Sequence, residues 1–456
     1  MRVKTHGIRI ALLALAAVQL LQLAGCAAPQ TQTQTQTRTQ ALPAPGGPPA
    51  ASAIAFHGGR WYDGAGFTGR EMYVVGGRFS IAKPEHVERV VDLAGGYVVP
   101  PFAEGHNHWL EPRAIEAYDA MYLRDGVFYL KDQANATVVR RQLDAALNRP
   151  ATVDFICANE GWTGPGGHPI QIALQFLKFG SFPPEWTEAD LDTNVVNVVE
   201  DVAGIEKRWP KFIAGRPDFV KVFLLYSEEY ARRREDPQFQ YKRGIDPALV
   251  SEISRRAHAA GLRLSAHVYT AADFHNALAG GVDDVAHMPG TGYEEGMGVA
   301  AFRVAEADAR LAAERGATVT TTLSWLAELA DSDAAGAKKV LEQVIRPNVQ
   351  LLRRFGIPIL IGSDQFRQTP VEEARLLVKL GLFSNAELLK SWCETTPRAI
   401  FPRRRIGRLA DGYEASFLVL DGDPIADFSA TGKIRMRVKQ GQTLPEPAPI
   451  ALPELQ

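Results

Sequence analysis

The chain has 456 residues, 46% of them hydrophobic and 22% charged, with a formal net charge of −2. That is the composition of an ordinary globular protein, and it gives no reason to expect nucleic acid or another polyanion as a partner. The length is ample for one large barrel with a small accessory domain.

Residues 1–25 read as a lipoprotein signal peptide. Arg2, Lys4 and Arg9 form a basic start, and Ile10 to Leu23 is almost wholly apolar. A run this short suits a signal segment better than a spanning helix, which needs ~20 residues. Leu23-Ala24-Gly25-Cys26 follows and resembles a bacterial lipobox. The expectation is lipidation at Cys26, where each buried CH2 of the acyl chains adds ~0.8 kcal/mol of anchoring. A plain secretory signal or an uncleaved anchor is the other reading. Ala27 rather than Asp follows the cysteine, which points to the outer membrane, facing the periplasm. Residues 26–53 carry that cysteine, then Thr-Gln repeats and a run of Pro, Gly and Ala with little to bury, and read as a disordered tether. Cys157 and Cys393 each lie in an apolar pattern, so two buried thiols are expected rather than a disulfide.

Residues 54–96 and 403–445 hold short alternating runs such as Met72–Arg78 and Phe417–Leu420. Each flank is too small to bury a core alone, so the two are expected to pair into one discontinuous β-sandwich domain, with 446–456 as a tail. Between them, over 97–402, short apolar runs alternate with amphipathic stretches. The candidate strands are Tyr97–Ala103, Gly126–Leu130, Val153–Ala158, Phe219–Tyr226, Arg263–Val268, Asp284–Met288, Ala317–Thr322 and Ile357–Gly362. Eight strands alternating with helices predict an α/β fold, a (β/α)8 TIM-like barrel. Asp246-Pro247, Thr369-Pro370-Val371-Glu372 and Ser384-Asn385-Ala386-Glu387 read as helix starts, the last two as capping boxes. The Gly- and Pro-rich stretch 164–184 is expected to lie over the barrel mouth.

The chemistry-bearing residues fall at the ends of these strands. His106 and His108, at i and i+2 of an extended strand, share a face and can meet one metal. Lys221 sits in the apolar run Phe219–Leu225, where an ammonium is costly unless paired or changed. It is paired with a carboxylate such as Glu228, or reaches the barrel mouth, or is carbamylated by CO2 into a group whose two oxygens can bridge two metals. His267 and His287 end two consecutive strands, and Asp364 closes the eighth. Four imidazoles, a bridging group and a carboxylate can hold two divalent cations, and the chain reads as a metal-dependent hydrolase. His57, His86, His258 and His275 have no such context and read as surface or structural residues.

This constellation resembles the amidohydrolase superfamily, in its binuclear branch with a carboxylated lysine, and is similar to its prolidase and imidazolonepropionase-like members. Pro100 to His108 looks like that family's first-strand motif. Thr396-Pro397-Arg398-Ala399 with Ile406-Gly407-Arg408-Leu409 and Asp411-Gly412 resembles its return to the sandwich, so the likeness runs from about Ile54 to Gly441. The chain departs from the pattern at Glu104, where the family usually has Asp, at Pro101 in place of Gly, and at Ala415-Ser416-Phe417 in place of Ala-Asp-Leu. The resemblance implies that His106, His108, Lys221 and Asp364 hold one metal and that carbamylated Lys221, His267 and His287 hold the second. Two divalent ions, zinc by donor type with manganese, cobalt or iron as alternatives, would activate a bridging hydroxide, with Asp364 as general base. The implied reaction is hydrolysis of an amide C–N bond in a small molecule: a dipeptide, an N-acyl amino acid or a cyclic amide. An ester or lactone hydrolase on the same site and a non-catalytic metal-binding lipoprotein are the alternatives, with phosphotriester hydrolysis further off. The Gly164-Pro165-Gly166-Gly167-His168-Pro169 loop resembles one that lies beside the substrate in family members cleaving dipeptides and acyl amino acids, which makes His168 a substrate-contact candidate or simply a turn residue. Tyr226 and Tyr269 are candidate oxyanion donors or packing residues, and Trp109 a candidate pocket wall. The only membrane contact expected is the lipid anchor, and the family resemblance makes a homo-oligomer plausible.

Overall fold

The computed structural model describes residues 53–453. The signal segment, Cys26 and the tether lie outside the described residues. Among the described residues, no helix is long and apolar enough to cross a membrane.

Eight short parallel strands carry the interior: β1 (Phe102–Asn107), β2 (Val127–Asp132), β3 (Asp154–Cys157), β4 (Val220–Phe223), β5 (Leu264–His267), β6 (Asp284–Val285), β7 (Thr318–Thr320) and β8 (Ile359–Leu360). They form two parallel sheets. One is β1-β2-β3, and the other runs Val196–Val198, Gly161–Thr163, β4, β5, β6, β7, β8. Residues of β1, β2, β4 and β5 are buried throughout, as expected for strands covered on both faces. Most helices follow a strand and return the chain to the next one, as parallel connections require.

The pairing of regular strands does not close into a ring, but single main-chain bonds reach across both gaps. Gly105 N donates to Ile361 O at 2.8 Å and Asp364 N to His106 O at 2.8 Å, while Asp218 N donates to Cys157 O at 2.9 Å. The first of these contacts demands glycine. A Cβ on Gly105 would stand 2.8 Å from Ile361 O, and one on Gly362 would stand 2.7 Å from His106 N.

The flanks meet in one mixed sheet of eight strands that draws on both ends of the chain. Phe417–Leu420 pairs antiparallel with Tyr97–Val99, which pairs parallel with Ala53–Tyr62. The expected first barrel strand is thereby corrected: Tyr97–Val99 belongs to the mixed sheet, and the interior strand starts only at Phe102. Pro100 and Pro101 separate the two, because neither can donate to a ladder. Trp61 packs between Phe79 and Phe417 at ring distances of 6.0 and 5.4 Å, which gives the sheet an aromatic core.

The helix starts came out unevenly. The box at Ser384 forms in full, and Asp246 accepts the Ala248 N–H. The helix Val371–Lys379 has no side-chain cap. Thr369 instead donates to Asp125 at 2.7 Å, so a tertiary bond replaces the local one. Cys157 and Cys393 are both buried free thiols.

Candidate metal centre

His106 is the fifth residue of β1, and His108 lies one residue past its end. Lys221 is the second residue of β4 and His267 the last of β5. His287 lies two residues past β6 and Asp364 four past β8. All of them stand at the carboxyl end of the interior strands except Lys221, which projects from within. Asp364 takes a left-handed backbone, φ +53°, a conformation Asp tolerates better than most residues. In that turn its N–H donates to the His106 carbonyl.

The imidazoles converge. His106 Nδ1 donates to Ala286 O at 2.8 Å, so its Nε2 presents a lone pair. That Nε2 lies 3.0 Å from His108 Nε2. The two nitrogens lie 3.4 and 3.3 Å from the same oxygen, Asp364 Oδ1. His287 Nδ1 is 2.8 Å from Thr322 Oγ1, leaving Nε2 as its outward atom. The His267 ring stands edge-on to His287 at 4.4 Å. Burial pushes His106 down to about 4, against the pull of Asp364, and holds His267 and His287 well below the usual imidazole range. The rings are therefore neutral at pH 7. Burial pushes the Asp364 carboxyl up, yet the His106, His108 and His287 rings around it more than offset this and hold it well below the usual carboxylate range.

The donor set fits a divalent cation. His108 Nδ1, His267 Nε2 and His287 Nε2 are buried without a hydrogen-bond partner, and an unmatched buried polar atom costs about 1–3 kcal/mol. His106, His287 and Asp364 each offer a ligand atom, all within 4.8 Å of one another. Neutral imidazole and carboxylate donors converging on one volume are what zinc-like ions take.

Lys221 is fully buried, and Glu228 does not reach it. Glu228 accepts the Thr270 hydroxyl at 2.9 Å instead. The lysine's hydrogen bond goes to Gln133 Oε1 at 3.2 Å. Burial and the neighbouring Lys131 push its ammonium down to about 7, so a substantial neutral fraction exists at physiological pH.

The substrate-contact candidates separate. His168 is brought to the site, its ring 4.7 Å from that of His267. The Gln171 amide donates to its Nδ1 at 3.0 Å, which leaves the proton on Nε2. Tyr269 lies against His267 at 4.6 Å. Tyr226 packs on Tyr269 at 5.5 Å, but its hydroxyl donates to Gly292 O at 2.6 Å and is already spent. Trp109 is turned away into an aromatic cluster with Phe176 and Phe182, at 4.8 and 5.6 Å. The insertion after the third strand supplies both phenylalanines, and Phe366 links them to His108 at 6.1 Å.

Several organising residues escaped the sequence reading. Glu104 accepts the N–H groups of His106 and Ser363 at 2.9 and 3.0 Å and the Ser363 hydroxyl at 2.6 Å, so it ties β1 to the turn of Asp364. Asp273 accepts the N–H groups of Tyr226, Ser227, Tyr269 and Thr270, joining the ends of β4 and β5. Its box with Thr270 is a readable local pattern, whereas its reach to Tyr226 is not. Gln133, which follows Lys131 and Asp132 at the end of β2, carried no local signal of its own.

Residues 233–444 match the amidohydrolase family. Solved structures share the fold. A prolidase complexed with N-methylphosphonate-L-proline has a TM-score of 0.65 at 18% identity, covering 86% of this chain and 99% of that one. An ochratoxinase from A. niger has 0.67 at 15%, covering 86% and 96%. A putative prolidase from Bifidobacterium longum has 0.64 at 17%, covering 88% and 97%. No curated protein matches the chain in sequence.

Proposed function

We propose, from the match of residues 233–444 to the amidohydrolase family and the fold shared with prolidases, that the chain is a metal-dependent hydrolase of that superfamily that cleaves an amide C–N bond in a small substrate. One observation carries the reading: the neutral nitrogens of His106 and His108 crowd a single oxygen of Asp364, while His267 and His287 hold unpartnered nitrogens beside them. His106, His108, Lys221 and Asp364 would hold one cation, and His267 and His287 with a carbamylated Lys221 the second. The interior strands then act as a (β/α)8 barrel with the site at its carboxyl-end mouth. Divalent cations bound there supply Lewis acidity toward the scissile carbonyl and lower the pKa of nearby water.

The chain's own residues do the rest. Asp364 accepts the proton of the attacking water on a carboxylate oxygen and delivers it to the leaving nitrogen. Its position is held from behind by Glu104 through Ser363. His168, neutral and protonated on Nε2, donates to an acceptor on the substrate. Phe366 stands beside His108, backed by Phe176 and through it by Trp109 and Phe182, and favours an apolar or aromatic side chain on the amide. Prolidases and an ochratoxinase among the structural relatives support dipeptides and N-acyl amino acids as the first substrates to try. Arg2, Lys4, Arg9 and the stretch 23–26 support display on the envelope through lipidated Cys26.

Metal content per chain, measured without chelators and in bicarbonate, tests the site. Two zinc-like ions are expected. One ion would mean a mononuclear enzyme, and none after reconstitution would sink the hydrolase reading. A screen of dipeptides and acyl amino acids against matched esters then decides the bond.

A further inference from the structure

Gln133 follows β2 and is fully buried. Its side-chain oxygen accepts from Lys221 Nζ at 3.2 Å and lies 3.1 Å from Ser265 Oγ. Its side-chain nitrogen is buried and has no partner. Turning the amide over does not repair this, because the same arm would then carry an oxygen with no partner. The orientation is held from below as well. Ser265 also lies 2.8 Å from Asp284 Oδ2, the oxygen that Lys131 reaches. Thr318 takes the other Asp284 oxygen at 2.6 Å. Lys131, Ser265 and Thr318 all meet Asp284, whereas the Gln133 nitrogen meets nothing.

The mismatch identifies the missing partner. An amide edge offers an acceptor and a donor on adjacent arms. A lysine ammonium offers donors only. A neutral amine places its single lone pair on the atom that already faces Oε1. A carbamate offers an N–H and, on the neighbouring carbon, an oxygen, so it can meet both arms of the amide at once.

We propose that Gln133 is the positioning residue for carbamylated Lys221, its Oε1 accepting the carbamate N–H while its Nε2 donates to a carbamate oxygen. This rests on the carbamate assigned to Lys221 above. In the modification, the Nζ lone pair attacks carbon dioxide and a C–N bond forms. One C=O electron pair moves onto oxygen, and a proton leaves Nζ to solvent. No oxidant or further reactant is needed. The amide sets the plane of the new carboxylate through its far side and leaves the face toward the histidines for cations.

The test is carbamate occupancy, read without turnover. The protein is freed of metal, equilibrated with 13C-bicarbonate, and the carbamate carbon signal is followed by NMR as bicarbonate is raised. Wild type is expected to give one signal that Lys221→Arg lacks. Gln133→Met, which keeps volume and loses the donor, is expected to need at least tenfold more bicarbonate. Gln133→Glu, whose carboxylate pairs with an ammonium and repels a carbamate, is expected to lose the signal. Wild-type occupancy in either folded variant overturns the role of Gln133. Absence of the signal in wild type overturns instead the carbamate on which it rests. Should both variants fail to fold, a crystal of the unaltered protein grown in bicarbonate decides: Gln133 Nε2 within hydrogen-bond reach of a carbamate oxygen is expected, and Nε2 paired elsewhere overturns the proposal.

Discussion

Two lysines are buried among the interior strands, Lys131 on β2 and Lys221 on β4, and they live in opposite surroundings. Lys131 Nζ lies 2.5 Å from Asp284 Oδ2, inside a layer where Ser265 and Thr318 also serve that carboxylate. Lys221 has no carboxylate at ion-pair distance among the described residues and a single amide oxygen at 3.2 Å. Burial depresses both ammonium groups, but Asp284 pulls Lys131 back up, while Lys131 itself pushes Lys221 further down. The matched lysine is structure. The unmatched one is free to become something else, and the histidines at the neighbouring strand ends hold nitrogens that are unmatched in the same way.

Substitution at the two lysines separates these roles. Lys221→Ala is expected to lose metal and at least ~10³-fold in turnover, on the scale of removing a group central to catalysis. Added short carboxylic acids should restore part of both. An alanine variant that binds two metals unaided would remove Lys221 from the site. Asp364→Asn should stay folded with turnover down ~10²–10⁴-fold, the range for a lost general base, and near-normal turnover would end that assignment. Lys131→Met should behave differently: unfolding by denaturant should show a loss of about 3–5 kcal/mol, as for other buried pairs deprived of one partner, with metal content per chain unchanged. A fall in metal with unchanged stability would show that the two layers do not divide as described.

The same contrast applies to carboxyls. Asp284, opposite Lys131, is held well below the usual range despite its burial. Glu373, fully buried with the N–H of Leu323 and the hydroxyl of Ser324 but no cation, is pushed up to about 7 by burial. Its folded value exceeds its unfolded one, so its contribution is full below about pH 4.5 and lost as pH rises through 7. Integrated over that shift, the loss is about 3 kcal/mol. Stability curves at pH 5 and pH 8 should differ less in Glu373→Gln by about that amount, and an unchanged difference would refute the assignment. The smallest effect concerns Cys157 and Cys393, both buried with thiols pushed well above their usual range by burial. A thiol reagent should leave both untouched in the native protein and label both after denaturation.

Much of the site was legible because its signals are local. A histidine two residues from another on one strand face, and an apolar run closing on Asp364, need no knowledge of the rest of the chain. Lys221 stood out by the same logic, since a charge inside Phe219–Leu225 conflicts with its neighbours. That logic applied equally to Lys131, next to Leu130 on an apolar strand, and the sequence could not tell the two apart. The difference lies in Asp284, 153 residues away.

The sequence by itself determined the alternation of short apolar strands and amphipathic helices, because period and turn chemistry act over a few residues. It also determined which residue types stand at strand ends, since each apolar run shows where its strand must stop. Only the tertiary structure decided that Tyr97–Val99 leaves the interior for the mixed sheet, that Tyr226 spends its hydroxyl on Gly292, that Trp109 faces Phe176 rather than the site, and that Gln133 stands against Lys221. Those outcomes depend on which groups meet across long stretches of chain, 66 residues for Tyr226 and Gly292 and 88 for Gln133 and Lys221, or at turns such as Pro100-Pro101 and Asp364. Burial makes every such meeting or mismatch costly, and no local pattern along the chain records it.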